Sequence, residues 1–373
     1  MQFRTSAPLA LGVITLLALA GCAAPASEPQ QSPSVTSDPS VPLAQLDILD
    51  DPRAYTGPST AVLATESVTA GATPQQELPA SVVSHDLDGD TEVTVDSTDR
   101  IVAMDIAGSI ASTIVALGLG DNLVGRDIST TVPELADLPV ITSSGHTVNS
   151  EAILALRPDV LITDGTVGPI DVVMQLREAG VDVVFVENEP SLDGIGELAR
   201  QVGAAIGAPE AGAMLAASLD AEVQAKVDEI AAIVPAGEPV RMLFLYLRGN
   251  SGIYYLFGPE SGADVLIESL GGVDVAAELG LVGERPMTDE AMVSANPDLI
   301  LVMTDGLASV GGVDELLASK PAIALTSAGQ HKRFVDMADG DILSFGPRTP
   351  AVLDALARAI YAPDASGPVG GER

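Results

Sequence analysis

The chain has 373 residues, enough for two ordinary domains, and 47% of them are hydrophobic, so each domain can bury a core. With 52 acidic residues against 17 basic ones, the formal charge is −35, which repels nucleic acid and anionic lipid surfaces and excludes them as partners. A single cysteine, Cys22, excludes a disulfide framework or a thiolate metal site.

Residues 1–22 read as a secretory signal, with Arg4 as the positive start and Leu9 to Ala20 as an apolar run too short for a comfortable membrane span. The run ends Leu19-Ala20-Gly21-Cys22, which resembles the bacterial lipobox. That resemblance implies acylation of Cys22 and anchoring to the outer face of the cell membrane. Residues 23–78 are rich in Ala, Pro, Ser, Gln and Asp at their start and are expected to form a flexible tether, with order beginning near residue 79. Alternation around Val93 and Val95 suggests an edge strand.

From Arg100 onward short aliphatic runs alternate with helical stretches. Strands are expected at Ile101 to Met104, Leu123 to Gly125, Pro139 to Ile141, Val160 to Ile162 and Val183 to Val186. Helices are expected at Gly108 to Leu117, Ser150 to Leu156 and Ile170 to Ala179. This texture predicts an α/β lobe (79–208) whose mainly parallel sheet is covered on both faces. Between Pro209 and Pro235 one apolar stripe recurs every three or four residues (Leu215, Leu219, Val223, Val227, Ile230, Val234), predicting a single long helix over 209–235. A second α/β lobe follows (236–362), with strands at Val240 to Leu247, Leu299 to Met303 and Arg333 to Val335. Its helices are expected at Gly262 to Leu270 and Ala351 to Ile360, and a tail (363–373) ends the chain.

The two halves echo one another. Glu151-Ala152 is followed by Pro158-Asp159 and an aliphatic run ending Thr163-Asp164-Gly165, and Glu290-Ala291 by Pro297-Asp298 and a run ending Thr304-Asp305-Gly306. The fold class expected is therefore two Rossmann-like α/β lobes joined by one long helix, with the ligand cleft between them.

No dinucleotide fingerprint, phosphate loop, nucleophile elbow or zinc-protease motif occurs, and three histidines (85, 146 and 331) are too few and too scattered for an imidazole cluster. Aromatics are scarce, yet Phe244, Tyr246, Tyr254, Tyr255 and Phe257 lie close together, which fits either a flat apolar ligand or a local core patch. Tyr246 and Arg248 are two apart at the carboxyl end of a strand, so they share a face. A neighbouring cation favours phenolate, a hard donor that suits ferric iron; the alternative is a surface tyrosine beside a solvated arginine. His146 stands five residues before Glu151, and Arg285 five before Glu290. The echo therefore predicts that His146 and Arg285 face each other across the cleft mouth, with Arg285 able to pair with a ligand carboxylate.

The stretch Leu117-Gly118-Leu119-Gly120-Asp121-Asn122-Leu123-Val124-Gly125 resembles the single-helix-linked substrate-binding proteins of ABC importers, which take up iron–siderophores, cobalamin and haem. His146-Thr147-Val148-Asn149-Ser150-Glu151-Ala152-Ile153 together with Tyr246-Leu247-Arg248-Gly249 is similar to the haem-binding lipoproteins of actinobacterial uptake systems. The resemblance runs from about residue 80 to 362. It implies that the chain is no enzyme and acts as a monomer that captures ferric haem b and delivers it to a permease powered by an ATPase. It also implies His146 and Tyr246 as axial ligands and Arg248 as a donor to the Tyr246 oxygen. Met303, Tyr255 and Arg285 would line the pocket, and Glu151 and Glu290 would be docking carboxylates for the permease. One departure stands out: related proteins often carry a tyrosine just before the basic-Pro pair, where this chain has Gly283 and Glu284 before Arg285-Pro286. A siderophore or cobalamin receptor of the same fold is the alternative; a tyrosine-ligated haem enzyme is a more distant one. His85 and His331 are read as surface.

Overall fold

The computed structural model describes residues 34–36, 41–143 and 145–364; the signal segment with Cys22 lies outside them. The first lobe is built on four parallel strands, in the order Asp182–Phe185, Val160–Thr163, Ile101–Met104 and Leu123–Arg126. The two central strands, Val160–Thr163 and Ile101–Met104, bury both their faces, because helices cover the sheet from two sides. Ile110, Ile114, Leu198 and Val202 pack on one side, and Ile153, Val173 and Leu176 on the other. The expected strand at Pro139 to Ile141 reduces to one bridge, Val140 with Arg126. Val93 and Val95 belong to a separate antiparallel hairpin, Ala80–Asp86 with Gly89–Val95, which is tied to the lobe by Arg177 on Asp86 at 2.6 Å.

The second lobe departs from the all-parallel expectation. Its sheet has eight strands among the described residues: Ser34–Thr36, Ser59–Val62, Phe334–Met337, Leu299–Met303, Arg241–Arg248, Ile253–Phe257 and Glu284–Pro286 in order, with Val273–Asp274 beside Arg241 and Met242. The strands Ile253–Phe257 and Glu284–Pro286 run antiparallel to their neighbours. The aromatic run read from sequence as a patch is thus a strand, because a turn through Gly249–Gly252 folds it straight back on Arg241–Arg248.

The internal echo is structural. Asn149 and Thr288 each cap the helix that follows them, accepting from the backbone N of Ala152 and Ala291. Each helix ends on a left-handed residue, Arg157 or Asn296. Asp159 and Asp298 then each accept from the backbone N of an arginine at the head of the neighbouring strand, Arg100 and Arg241. Both guanidinium groups in turn donate to carbonyls at the end of the preceding helix, on Leu156 and Ala295. The two lobes thus reuse one wiring pattern where their strands begin.

The linking helix runs Pro209–Ile233. Its first half lies so close to the helix Leu192–Ala205 that a Cβ on Gly203 would meet Gly212 Cα at 2.5 Å. Its second half enters the other lobe's core through Ile230 and Ile233. Where the lobes meet, Phe345 of the second packs on Ile195 and Ala199 of the first and on Leu219 and Val223 of the linking helix.

The tether expectation for residues 23–78 is corrected over residues 41–78. Leu43 is fully buried and donates to Glu229 on the linking helix. Ser59–Val62 pairs in parallel with Phe334–Met337. The chain then crosses to the first lobe, where the N of Gly71 meets the carbonyl of Ala116 and the N of Glu77 that of Gly207. The lobes therefore have a second connection besides the helix. The low hydrophobicity of residues near 23–40 hid it, because the pairing partner of this strand lies at the other end of the sequence.

Arg333 anchors that segment. It is fully buried, donating to Ser59 Oγ (2.9 Å) and to the carbonyls of Ala359 (2.8 Å) and Ile360 (3.0 Å). Arg333→Ala leaves these acceptors dry and unpaired, so it should cost about 3 kcal/mol. Urea unfolding reads the loss, and limited proteolysis should show new cleavage around residues 41–62. A variant of unchanged stability would refute the anchoring role.

Candidate functional site

In open α/β sheets, ligands bind beyond the carboxyl ends of the strands, and the carboxyl ends of both sheets carry the polar groups here. In the first lobe, Asp105, Asp127 and Asp164 each follow a strand directly. Asp105 accepts from the backbone N of Ser109 and Ile110 at the start of a helix, the favourable end for an anion. Burial, reinforced by the Asp164 and Asp127 carboxylates, holds its pKa well above the usual range. Burial pushes Asp127 up to about 6, although the backbone N of Asp105 and Thr130 donate to it. These bonds fix the turn 127–130, which presents Ser129.

Ser129 is what steadies His146. Its Oγ lies 3.3 Å from His146 Nδ1. His146 sits at the tip of a small hairpin, Thr142–Ser143 with Thr147–Val148, closed by a bond from its own N to the carbonyl of Ser143 (3.1 Å). Gly145 and His146 both have positive φ, 81° and 57°. The left-handed geometry costs a non-glycine residue roughly 1 kcal/mol, and it throws the imidazole out of the hairpin. With Nδ1 on Ser129, Nε2 has no protein partner among the described residues. The imidazole pKa is lowered, first by burial and then by the positive charge of Arg248. Arg248 belongs to the other lobe, and a chain of contacts joins the two: Arg248 bonds Asp339, a Cβ on the next residue, Gly340, would meet the Ser129 carbonyl at 3.3 Å, and Ser129 holds His146.

The opposite wall is the strand Arg241–Arg248. Tyr246 stacks on Phe257 at 5.4 Å, and Phe257 on Phe244 at 5.3 Å. Tyr255 pairs directly with Tyr246 across the ladder and so lies on the same face. Arg248 does not reach the phenol oxygen as expected. Its Cζ stands 4.6 Å over the centre of the Tyr246 ring, and its Nη2 donates to Asp339 Oδ2 at 2.6 Å. A carboxylate at hydrogen-bonding distance outcompetes a neutral phenol for a guanidinium. Met303 joins this group, with Sδ 3.7 Å from Arg248 Nη2. The Tyr246 hydroxyl makes no hydrogen bond among the described residues.

Arg285 is a correction. The ladder sets it opposite Leu256, which in turn faces Leu245. Those two leucines enter the core on the far side of the sheet, because side chains alternate. Counting from Glu290 matched Arg285 to His146, but the register turns it away from the Tyr246 face, and it is exposed. Glu151 and Glu290 stand in the first turns of their capped helices, both exposed and without an ion-pair partner among the described residues. His85 pairs with Asp90 on the hairpin, and His331 is half-buried at the end of a short helix; neither is near the cleft walls described. Asp339 went unnoticed in the sequence, since nothing in its neighbourhood sets it apart from the other acidic residues.

The model of the periplasmic binding protein family matches residues 105–339, a span that contains both walls of the cleft. The chain belongs to this family. Among periplasmic binding proteins of known structure, the haem-binding protein HmuT is 40% identical, with a TM-score of 0.78 over 84% of this chain and 99% of that one. That protein has also been solved with an arginine, a tyrosine or a histidine changed to alanine. The periplasmic haem-binding protein RhuT from Roseiflexus sp. RS-1, in apo form, is 38% identical, with a TM-score of 0.65 over 71% of this chain and 98% of that one. A cobalamin-binding protein of Halobacterium salinarum is 28% identical over 277 residues, 73% of this chain and 72% of that protein. The family and these neighbours are binding proteins, and periplasmic binding proteins work outside the cytoplasm.

Proposed function

We propose that this chain is the extracytoplasmic haem receptor of an ABC importer, capturing ferric haem b between its lobes and passing it to a permease driven by an ATPase. The reading rests on two residues, one from each lobe. His146 and Tyr246, whose Nε2 and hydroxyl make no hydrogen bond among the described residues, are linked through Ser129, Gly340, Asp339 and Arg248, and we read them as a facing pair. An imidazole and a phenolate are a donor set for ferric haem iron, and the stacked rings of Phe244, Phe257 and Tyr246 with Tyr255 and Met303 offer a flat apolar wall to a porphyrin. The HmuT variants support the roles: the substituted tyrosine and arginine there are two residues apart, as Tyr246 and Arg248 are, and the histidine lies well before both, as His146 does.

Each residue has a definite task. His146 and Tyr246 hold the iron from its two faces, so both lobes grip one ligand. Phe345 and the segment 59–78 keep the lobes from swinging far apart, so capture needs only small closure. Since the family and its neighbours are binding proteins, the chain is read as a carrier that acts as a monomer. A cobalamin receptor would not need an imidazole and a phenol facing each other, and the haem reading is preferred for that reason. The test is titration of ferric haem into the purified protein: a saturable visible spectrum at one equivalent is expected, and its absence would end the proposal.

Glu151 and Glu290 carry the docking proposal, because the repeated wiring of the lobes offers the permease two matching exposed carboxylates. Glu151→Arg combined with Glu290→Arg should leave the haem spectrum as it is and reduce haem-stimulated ATP hydrolysis by the reconstituted importer about tenfold or more. Full stimulation by the double variant would contradict it. Anchoring through Cys22 is the companion proposal, tested by mass spectrometry of the mature N-terminus.

A further inference from the structure

The repeated helices Ser150–Leu156 and Asp289–Ala295 carry more than a carboxylate each. Two residues beyond Glu151, Ile153 is fully buried in the core of the first lobe. Two beyond Glu290, Met292 is fully buried in the core of the second. The next residue in each helix is large, apolar and exposed, Leu154 by 41% and Val293 by 46%. The match extends along both helices: Ala152 and Ala291 are half-buried, and Ala155 and Ser294 are exposed. Three residues are close to one helical turn, so each apolar side chain lies beside the carboxylate that precedes it. The caps Asn149 and Thr288 seat both first turns in the same way, which gives carboxylate and apolar side chain the same offset in both lobes. Single exposed apolar residues, such as Met214 on the linking helix, are ordinary. An exposed aliphatic residue at the same place of both lobes, in a chain with 52 acidic residues, is not explained by packing within either lobe, because Ile153 and Met292 make the core contact.

We propose that Leu154 and Val293 are the apolar halves of two equivalent docking patches, each completing the carboxylate one turn before it. The inference rests on the docking reading given above and adds a second kind of contact to it. The partner that fits is a protein with two equivalent sites, each a cation beside an apolar hollow, as a permease of two like subunits presents. An anionic lipid surface is the poorer occupant, since both patches carry a carboxylate and would be repelled. The two halves divide the work. Charge steers the approach and sets the register, whereas burial of the aliphatic side chains adds attraction that salt does not screen.

The test uses the haem-loaded receptor and the reconstituted importer. Leu154→Ser combined with Val293→Ser should leave the haem spectrum and the Tm as they are. It should raise the receptor concentration for half-maximal ATP hydrolysis about tenfold, by the same factor at low and high salt. Each single substitution should contribute a share, and the two shares should multiply, because the sites lie on different lobes. Leu154→Met combined with Val293→Ile keeps the apolar surface and should behave as wild type. An unchanged half-maximal concentration in the double serine variant, while Glu151→Arg with Glu290→Arg is impaired, would overturn the apolar contact and leave the docking reading standing. One single substitution carrying the whole effect would overturn the equivalence of the patches. Sedimentation of the wild type with vesicles that lack the importer, lost in the double serine variant, would give the pair to lipid and also overturn the proposal. Full stimulation by the double arginine variant would instead bring down the docking reading beneath it.

Discussion

Tyr246→Phe should weaken ferric haem binding by about 100-fold or more, and His146→Ala by a smaller factor of about 10 to 100. The ranking follows from the two walls. The phenol can ionise and give ferric iron an anionic donor, whereas the imidazole binds as a neutral one. Tyr246 is also the better fixed of the pair, stacked on Phe257 with Arg248 above its ring. His146 stands at a hairpin tip steadied by one contact to Ser129 at 3.3 Å, so water can replace it at lower cost. Phenylalanine keeps the stack, so the loss reports on the oxygen alone. Visible titration of both variants measures the effect, and the tyrosinate band should vanish from Tyr246→Phe yet persist in His146→Ala. Equal affinity for all three proteins would remove both residues from the coordination sphere.

The second large effect is on stability. Asp127 is fully buried, and its pKa is raised from 3.8 to about 6. A carboxyl that keeps its proton longer when folded contributes stability that is fully present below the unfolded value and is lost as pH rises through the folded one. Between pH 3.8 and about 6 the native state binds more protons than the unfolded chain, so unfolding becomes easier across that window. Asp105 pushes in the same direction. Asp86, held down to about 2 chiefly by Arg177, acts in the opposite sense and takes stability away only below pH 3.8. Thermal melts should therefore show a higher Tm at pH 5 than at pH 7.5, and Asp127→Asn should reduce that difference, leaving the part contributed by Asp105 and by Asp274, which burial also raises to about 6. A slope left unchanged by the substitution would assign it to the other buried carboxyls or to the overall charge of −35 and not to Asp127.

Local pattern made much of the fold legible. The stripe from Leu215 to Val234 marked the linking helix, and the aliphatic runs at 101–104, 160–162 and 299–303 marked strands, because burial on both faces writes itself into consecutive residues. Glu151 and Glu290 exposed the repeat, since each lobe uses the same cap and the same aspartate. What stayed hidden was non-local. Ser59–Val62 carries little sign of its pairing until Phe334–Met337 lies beside it. The orientation of Arg285 depends on ladder register, which one residue of slippage inverts. The place of Arg248 depends on Asp339, 91 residues away, a contact that no spacing rule anticipates. His146 and Tyr246 stood out as candidates because each carries distinctive chemistry in an otherwise acidic, aliphatic chain.

The parallel pairing of Ser59–Val62 with Phe334–Met337 means that both chain ends build one lobe, while the other is an insertion between them. Thr60 bonds to Asp336 across 276 positions. Contacts of such separation form late, after the cost of closing a very long loop has been met. The inserted lobe has its whole core between residues 68 and 215 and can assemble while the chain is still growing. The other lobe must wait for Phe334–Met337 and the helix Thr349–Tyr361, so truncations that remove both should leave the inserted lobe folded and Ser59–Val62 without its strand partner.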